Sequence, residues 1–178
     1  MRRLTQFLRR FREDKRGVSA IEFAFLAPVL IVFYLGLAEM SQGLMAQRRV
    51  EHTASSICDL TSQAQALKAA DLTDTFKVGQ IIMAPFQTTT LTQRLSSVTV
   101  NSSGVAKVDW SQGSGIAARS VGSTVTLPAN VVTNGQSVIM SEVSYVYTSP
   151  VNYILKSPIT FTQSYYLRPR VVDQIPLS

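Results

Sequence analysis

The hydrophobic positions of the chain form three successive patterns. Residues 18–38 are apolar on every face of a helix and contain one charged side chain, Glu22. Residues 39–69 carry apolar or small side chains at steps of three and four, which predict an amphipathic helix with a narrow apolar stripe. From residue 91 onward Val, Thr, Ser and Tyr alternate with a period of two, which is typical of strands. The patterns predict a long N-terminal helix followed by a β-rich region.

The first pattern predicts a membrane-spanning helix. Its 21 residues give a helix about 32 Å long, which is enough to cross a hydrocarbon core of about 30 Å. The buried helix of a soluble protein is normally apolar along one stripe only. Seven basic and two acidic side chains lie in residues 1–16. Because short cytoplasmic segments are enriched in Lys and Arg, we expect a basic cytoplasmic leader over residues 1–17 and residues 39–178 on the other side.

The second pattern predicts a helical stalk over residues 39–69 that continues the membrane helix. Its stripe is expected to pack on the domain that follows. The single histidine, His52, and the single cysteine, Cys58, are interpreted as structural residues of this helix. The stripe consists of Val50, Ala54, Ile57 and Ala64, with Leu60 and Leu67 on the adjoining row.

Residues 70–178 are predicted to form an extracytoplasmic α+β domain. A helix is expected over residues 71–86, with Asp71 or Thr73 as its cap. Strands are expected over residues 95–100, 105–110, 124–127, 137–148 and 159–167, with a hairpin turn at residues 101–104. The fold class is therefore α+β, with a long N-terminal helix, half in the membrane and half amphipathic, packed on an antiparallel sheet of four or five strands.

Charge and composition exclude several classes of function. The formal net charge is +6, of which residues 1–16 carry +5, so the remaining chain offers no basic surface for nucleic acid. One cysteine and one histidine exclude a disulfide framework and most metal sites. Phosphate-loop, nucleophile-elbow and zinc-protease motifs are missing from the sequence. We therefore expect no enzymatic activity, no cofactor, no metal and no small-molecule substrate.

Glu22 and Gly17 together indicate processing. A carboxylate near the centre of a bilayer costs about 2.5–3.5 kcal/mol, so such a residue usually has a partner. If the chain is cut between Gly17 and Val18, Glu22 becomes the fifth residue of the mature chain, one helical turn from its new α-amine. The carboxylate could pair with this amine or with that of a neighbouring helix, and the second pairing would set the register between subunits.

Pro28 lies within the apolar run and predicts a helix kink. Proline removes one backbone hydrogen bond and clashes with the carbonyl four residues earlier, at Ala24. Membrane helices accept such a kink when neighbouring groups satisfy the freed carbonyl.

The basic segment, Gly17, Glu22 and the apolar helix resemble the leader region of type IV pilins and pseudopilins. More closely, the sequence of residues 16–39, RGVSAIEFAFLAPVLIVFYLGLAE, resembles the N-terminal signature of the TadE/TadG-like family of the Tad (tight adherence) pilus system. The resemblance implies a pilin-like structural assembly protein, a minor pilin or pseudopilin that takes part in pilus biogenesis and surface adhesion. The chain is longer than the very short major pilins of that system, which favours a minor or accessory subunit.

The same resemblance implies partners and a location. A prepilin peptidase would cut between Gly17 and Val18. Other pilin or pseudopilin subunits, the inner-membrane assembly platform and the lipid bilayer would be the remaining partners. The protein is expected in the bacterial inner membrane as a single-pass protein with a periplasmic C-terminal domain, or incorporated in a surface pilus.

Two alternatives remain open at the level of sequence. The protein could stay permanently anchored as a periplasmic or surface adhesin or binding module. It could also be released as a soluble protein, because Gly36 and Ala38 place small residues where an ordinary signal peptidase requires them. The first residue of the mature chain distinguishes the three possibilities: Val18 for the pilin, Met1 for the anchored adhesin and Glu39 for the secreted protein.

Overall fold

The computed structural model describes residues 17–128 and 131–178. A continuous helix, α1 (Val18–Ser62), joins the apolar run to the amphipathic segment and is followed by α2 (Ala69–Ile82). The strands form one antiparallel sheet in the order β2-β1-β3-β4. The predicted α+β fold is therefore confirmed. The strands are β1 (Leu91–Val100), β2 (Ala106–Ser114), β3 (Ser137–Tyr147) and β4 (Ile159–Leu167).

The second half of α1 lies on one face of the sheet and forms the main core with it. Val50, Ala54 and Ile57 are fully buried, so the predicted centre of the stripe is confirmed. Leu60 is 45% exposed and lies outside the core, although it belongs to the adjoining apolar row. The main core also contains Leu72, Phe76, Leu95, Trp110, Ile139, Val143, Tyr145, Tyr147 and Ile175.

The opposite face of the sheet has a second, smaller core. Val98 and Val108 face Val125 of the loop that follows β2. A β-bulge places Trp110 and Val108 on opposite faces although they are two positions apart, because Ser97 pairs with Trp110 whereas Val98 pairs with Val108. The predicted hairpin at residues 101–104 is confirmed by β1 and β2, which it connects.

The amphipathic helix ends at Ser62, seven residues before the predicted end at residue 69. The hydroxyls of Thr61 and Ser62 donate to backbone carbonyls of the preceding turn, at 2.7 and 2.8 Å, and such bonds compete with the continuation of a helix. Beyond this point the Leu67 backbone pairs with residues 176–178 instead. Tertiary pairing therefore overrides the helical periodicity here.

The second helix was predicted over residues 71–86 but spans Ala69–Ile82. Asp71 is not its N-cap. Its carboxylate reaches back and accepts a hydrogen bond of 2.8 Å from the backbone N–H of Lys68, which satisfies a donor at the helix start. The helix therefore begins at Ala69, and its N-cap is Lys68 instead of the predicted Asp71 or Thr73.

The predicted strand over residues 124–127 is wrong. The segment makes a single bridge to the edge strand β2, from Thr124 to Lys107. Gly122, at φ +79°, turns the chain just before it, and Pro128 supplies no N–H after it, so the pairing cannot extend.

The burial of the α1 stripe generates a stability prediction. Ile57→Ala should lower the free energy of unfolding by about 2–5 kcal/mol, because it leaves a cavity between α1 and the sheet. Leu60→Ala, on the same helix, should change it by about 0.5 kcal/mol or less. Denaturant unfolding of the full chain in detergent micelles measures both. Equal effects of the two substitutions would contradict the packing described.

Candidate functional site at the two ends of the apolar helix segment

The residues predicted to act in processing lie at the start of α1. Gly17 directly precedes the helix, and a Cβ at this position would meet no atom within 4 Å. Val18 is the first helical residue, and the side chains of Val18 and Glu22 are exposed. A single subunit does not test cleavage or pairing, so the roles of these three residues stay predictions. The basic side chains of residues 1–16 lie outside the described residues.

Pro28 lies inside α1, and the helix continues on both sides of it. The predicted kink stays a prediction. Around Pro28 the large apolar side chains are exposed on every face of the helix. Phe25, for example, is 77% exposed. The helix is long and apolar enough to cross a membrane, and none of its most apolar stretch is buried. This segment fits a single-pass membrane anchor.

The other end of the apolar segment contains a buried carboxylate with several hydrogen-bond donors. Glu39 is 1% exposed and faces the connection between β3 and β4. One carboxylate oxygen accepts hydrogen bonds from the backbone N–H of Tyr153 (2.7 Å) and the hydroxyl of Ser149 (3.0 Å). The other oxygen accepts from the backbone N–H groups of Ile154 and Leu155, both at 2.9 Å. Four donors therefore bind one buried carboxylate.

These donors determine the charge of Glu39. Burial alone would raise its pKa, but the backbone N–H groups of Leu155, Tyr153 and Ile154 and the hydroxyl of Ser149 lower the pKa to about 2, from an ordinary value of 4.5. Because the pKa of the folded state lies below that of the unfolded chain, the carboxylate stabilises the fold fully above pH 4.5. This contribution is lost as the pH falls from 4.5 towards 2.

Gly36 completes the contact one helical turn before Glu39. The two residues are three positions apart and therefore lie on the same face of α1. The Ile154 side chain occupies the space that a Cβ at position 36 would fill, so a larger residue there would require this side chain to move. Helix and connection are thus joined by an apolar contact at Gly36 and by a charged hydrogen-bond cluster at Glu39.

The sequence patterns do not predict this site. Gly36 and Glu39 belong to the end of the family signature and border a possible signal-peptidase position, but neither pattern predicts a binding role for them. The available signal was the position of Glu39, directly after residues 23–38, which carry no charge. The partners could not be found from sequence, because they lie more than 100 positions further along the chain.

The remaining candidate residues have structural roles. The Cys58 thiol is buried and donates to the backbone carbonyl of Ile139 at 3.3 Å, and burial raises its pKa to about 12. His52 is exposed, and its ring lies 3.4 Å from the hydroxyl of Ser56. Arg170 pairs with Asp59 of α1, so it binds its own chain. Residues 17–128 and 131–178 contain no group of three or more His, Cys, Asp or Glu side chains that could bind a metal ion.

The architecture defines a class of protein in which an apolar, exposed helix continues without a break into the helix that packs on the sheet of an α+β domain. Residues 17–57 match the family model described as TadE-like protein. The predicted resemblance is therefore confirmed, over a stretch that begins at Gly17, includes Gly36 and Glu39, and ends at Ile57 in the buried stripe. The match covers less than a quarter of the chain, so it describes most of α1 and none of the sheet. No curated protein and no solved structure matches the chain.

The Glu39 cluster generates a prediction on local dynamics. Glu39→Gln should increase hydrogen exchange at the backbone amides of residues 153–155 by about tenfold or more, because charge-assisted bonds to a carboxylate are replaced by weaker bonds to an amide. Hydrogen–deuterium exchange of the full chain in detergent measures this. Glu51→Gln, at an exposed position further along α1, is the control and should leave these amides unchanged. Unchanged exchange in both variants would mean that the carboxylate does not hold the connection.

Proposed function

We propose that the protein is a minor pilin or pseudopilin of a Tad-type pilus, with a role in pilus biogenesis and surface adhesion. The observation that carries the proposal is the division of α1 into two halves. Its first half is apolar and exposed, and its second half is buried against the sheet. Such a subunit can rest in a bilayer and then exchange lipid contacts for contacts with other helices in an assembly, while its folded domain stays unchanged.

The start of α1 supplies the chemistry that this function needs. Cleavage by a prepilin peptidase between Gly17 and Val18 would create a positively charged α-amine at the start of the apolar helix. Glu22 lies one turn further on and would pair with this amine or with that of a neighbouring subunit. An ion pair of this kind in a low-dielectric medium fixes the axial register of packed helices. Other pilin subunits and the inner-membrane assembly platform are the partners that this role implies.

Two observations bear on the alternative functions. Release after Ala38 would divide α1 and remove Gly36, against which Ile154 packs, so this contact favours the two functions that keep α1 whole. A permanently anchored adhesin keeps this contact. Exposed tyrosines would favour an adhesive surface, because tyrosine is enriched in protein interfaces. The tyrosines do not favour the anchored adhesin, because Tyr145 and Tyr147 belong to the core and only Tyr153 and Tyr165 are exposed among these four. The state of the N-terminus therefore separates the pilin from the anchored adhesin.

The proposal is tested first at the cleavage position. In cells that assemble the pilus, the mature chain should begin at Val18, as determined by N-terminal sequencing. Gly17→Val should retain residues 1–17, because a side chain at this position blocks close approach by the peptidase. Ala24→Val places the same side chain in the exposed apolar helix and should be processed normally. Normal maturation of the Gly17→Val protein would contradict the leader assignment.

The role of Glu22 is tested separately from cleavage. Glu22→Ala should leave membrane insertion intact or improve it, because a charge has been removed from the apolar segment. It should nevertheless lower surface piliation, since the ion pair that sets the register is lost. The mass of the mature chain must be determined in parallel, so that an effect on the peptidase is recognised. Glu51→Ala is the control outside the apolar segment. Wild-type piliation in Glu22→Ala cells would rule out this packing.

A further inference from the structure

The connection between β3 and β4, residues 148–158, has an unusual surface for a loop. Its tip exposes Val151, Tyr153 and Ile154, which are 42%, 51% and 53% exposed. Its one charged side chain is Lys156, which is exposed. Loops at the surface of a soluble domain are normally polar, and exposed apolar side chains grouped in this way are typical of a site that contacts a membrane or another protein. We call residues 148–158 the boundary loop.

The boundary loop lies at the depth where α1 leaves the membrane. Ile154 contacts Gly36, which is inside the apolar run of residues 18–38. The first charged side chain after Glu39 is Arg48, and the exposed α1 residues between them include Met40, Leu44 and Met45. The stretch from Val18 to Gln47 measures about 45 Å as a helix, which matches a hydrocarbon core together with its headgroup regions. The loop therefore lies beside the headgroup region on the exit side.

The backbone of the boundary loop has the hydrogen bonding that a weakly hydrating medium requires. The five N–H groups of residues 152–156 all have acceptors within the chain. Asn152 donates to the Ser149 hydroxyl (3.3 Å), and Lys156 donates to the carbonyl of Ile154 (3.1 Å). The three N–H groups between them bind Glu39. An exposed loop in water does not need such pairing, whereas a loop against lipid does, because an unpaired N–H there costs several kcal/mol.

From these observations we infer that the boundary loop is a second membrane contact, which inserts Val151, Tyr153 and Ile154 into the headgroup region of the bilayer beside α1. Tyrosine is enriched at this level, where its ring meets acyl chains and its hydroxyl meets water. Lys156 would extend its ammonium group to the lipid phosphates. With α1 and the loop both at the interface, the sheet domain has a fixed tilt on the membrane. The inference rests on membrane placement of residues 18–38 and not on the pilin assignment.

Lipid-attached quenchers test this inference. The full chain is reconstituted in vesicles of phosphatidylethanolamine and phosphatidylglycerol that carry bromine atoms on the upper acyl chains. Tyr153→Trp should lose fluorescence in these vesicles relative to unbrominated ones. Val151→Trp provides a second reporter in case Tyr153→Trp disturbs the loop. The wild-type protein, with buried Trp110 alone, gives the background.

Two matched tyrosines serve as controls. Tyr34→Trp, in the exposed apolar half of α1, should be quenched whenever the helix is inserted. Tyr165→Trp should not be quenched, because Tyr165 lies beside Cys58, about 28 Å beyond Glu39 along α1. Quenching of Tyr34→Trp without quenching of Tyr153→Trp and Val151→Trp overturns the inference. If the Tyr153→Trp and Val151→Trp proteins are quenched neither by the brominated lipids nor by iodide dissolved in the water, another protein copy covers the loop. An unquenched Tyr34→Trp overturns membrane placement itself.

Discussion

The hydrogen bonds between the Glu39 carboxylate and the boundary loop join the two parts of this protein. Glu39 is the first charged residue after the apolar run, and by position alone it would face the headgroup region with an unpaired charge. Three backbone N–H groups and one hydroxyl surround it instead. The same contact holds the β3–β4 connection against α1, while the buried stripe of α1 holds the sheet. The position of the boundary loop relative to the membrane helix thus depends on one side chain.

This contact also explains how one helix performs two tasks. Before Gly36, α1 has no sheet beside it and its apolar side chains are exposed to lipid or to other helices. After Glu39, its stripe is closed by the sheet, with Ser141 donating to the Ala54 carbonyl at 2.6 Å in the middle of the interface. A subunit built in this way can change the surroundings of its first half without repacking the second. That independence is what the proposed assembly role needs.

Local sequence was sufficient for the features that depend on short-range physics. The apolar length of residues 18–38, the stripe at Val50, Ala54 and Ile57, and the hairpin at residues 101–104 follow from periodicity and turn chemistry, and all are present. The errors arise where distant segments meet. The stalk ends at Ser62 because the chain around Leu67 pairs with residues 176–178, and no local pattern encodes that pairing.

The residues of the candidate site also differ in whether local sequence or distant segments determine their roles. The roles of Gly17, Val18 and Glu22 come from a local pattern and a family resemblance, and they concern partners outside this chain. The role of Glu39 is visible only in three dimensions, since its donors come from residues 149–155. A carboxylate at the end of an apolar helix indicates that a partner exists, but the identity of the partner depends on the topology of the sheet.

The most direct test of this account is an NMR titration of the Glu39 side-chain carboxyl in the full chain in detergent micelles. Four hydrogen bonds to a buried carboxylate predict a midpoint of about 2. A midpoint at or above the ordinary value of 4.5 would show that the boundary loop does not bind this carboxylate, and that the buried stripe alone joins the membrane helix to the sheet domain.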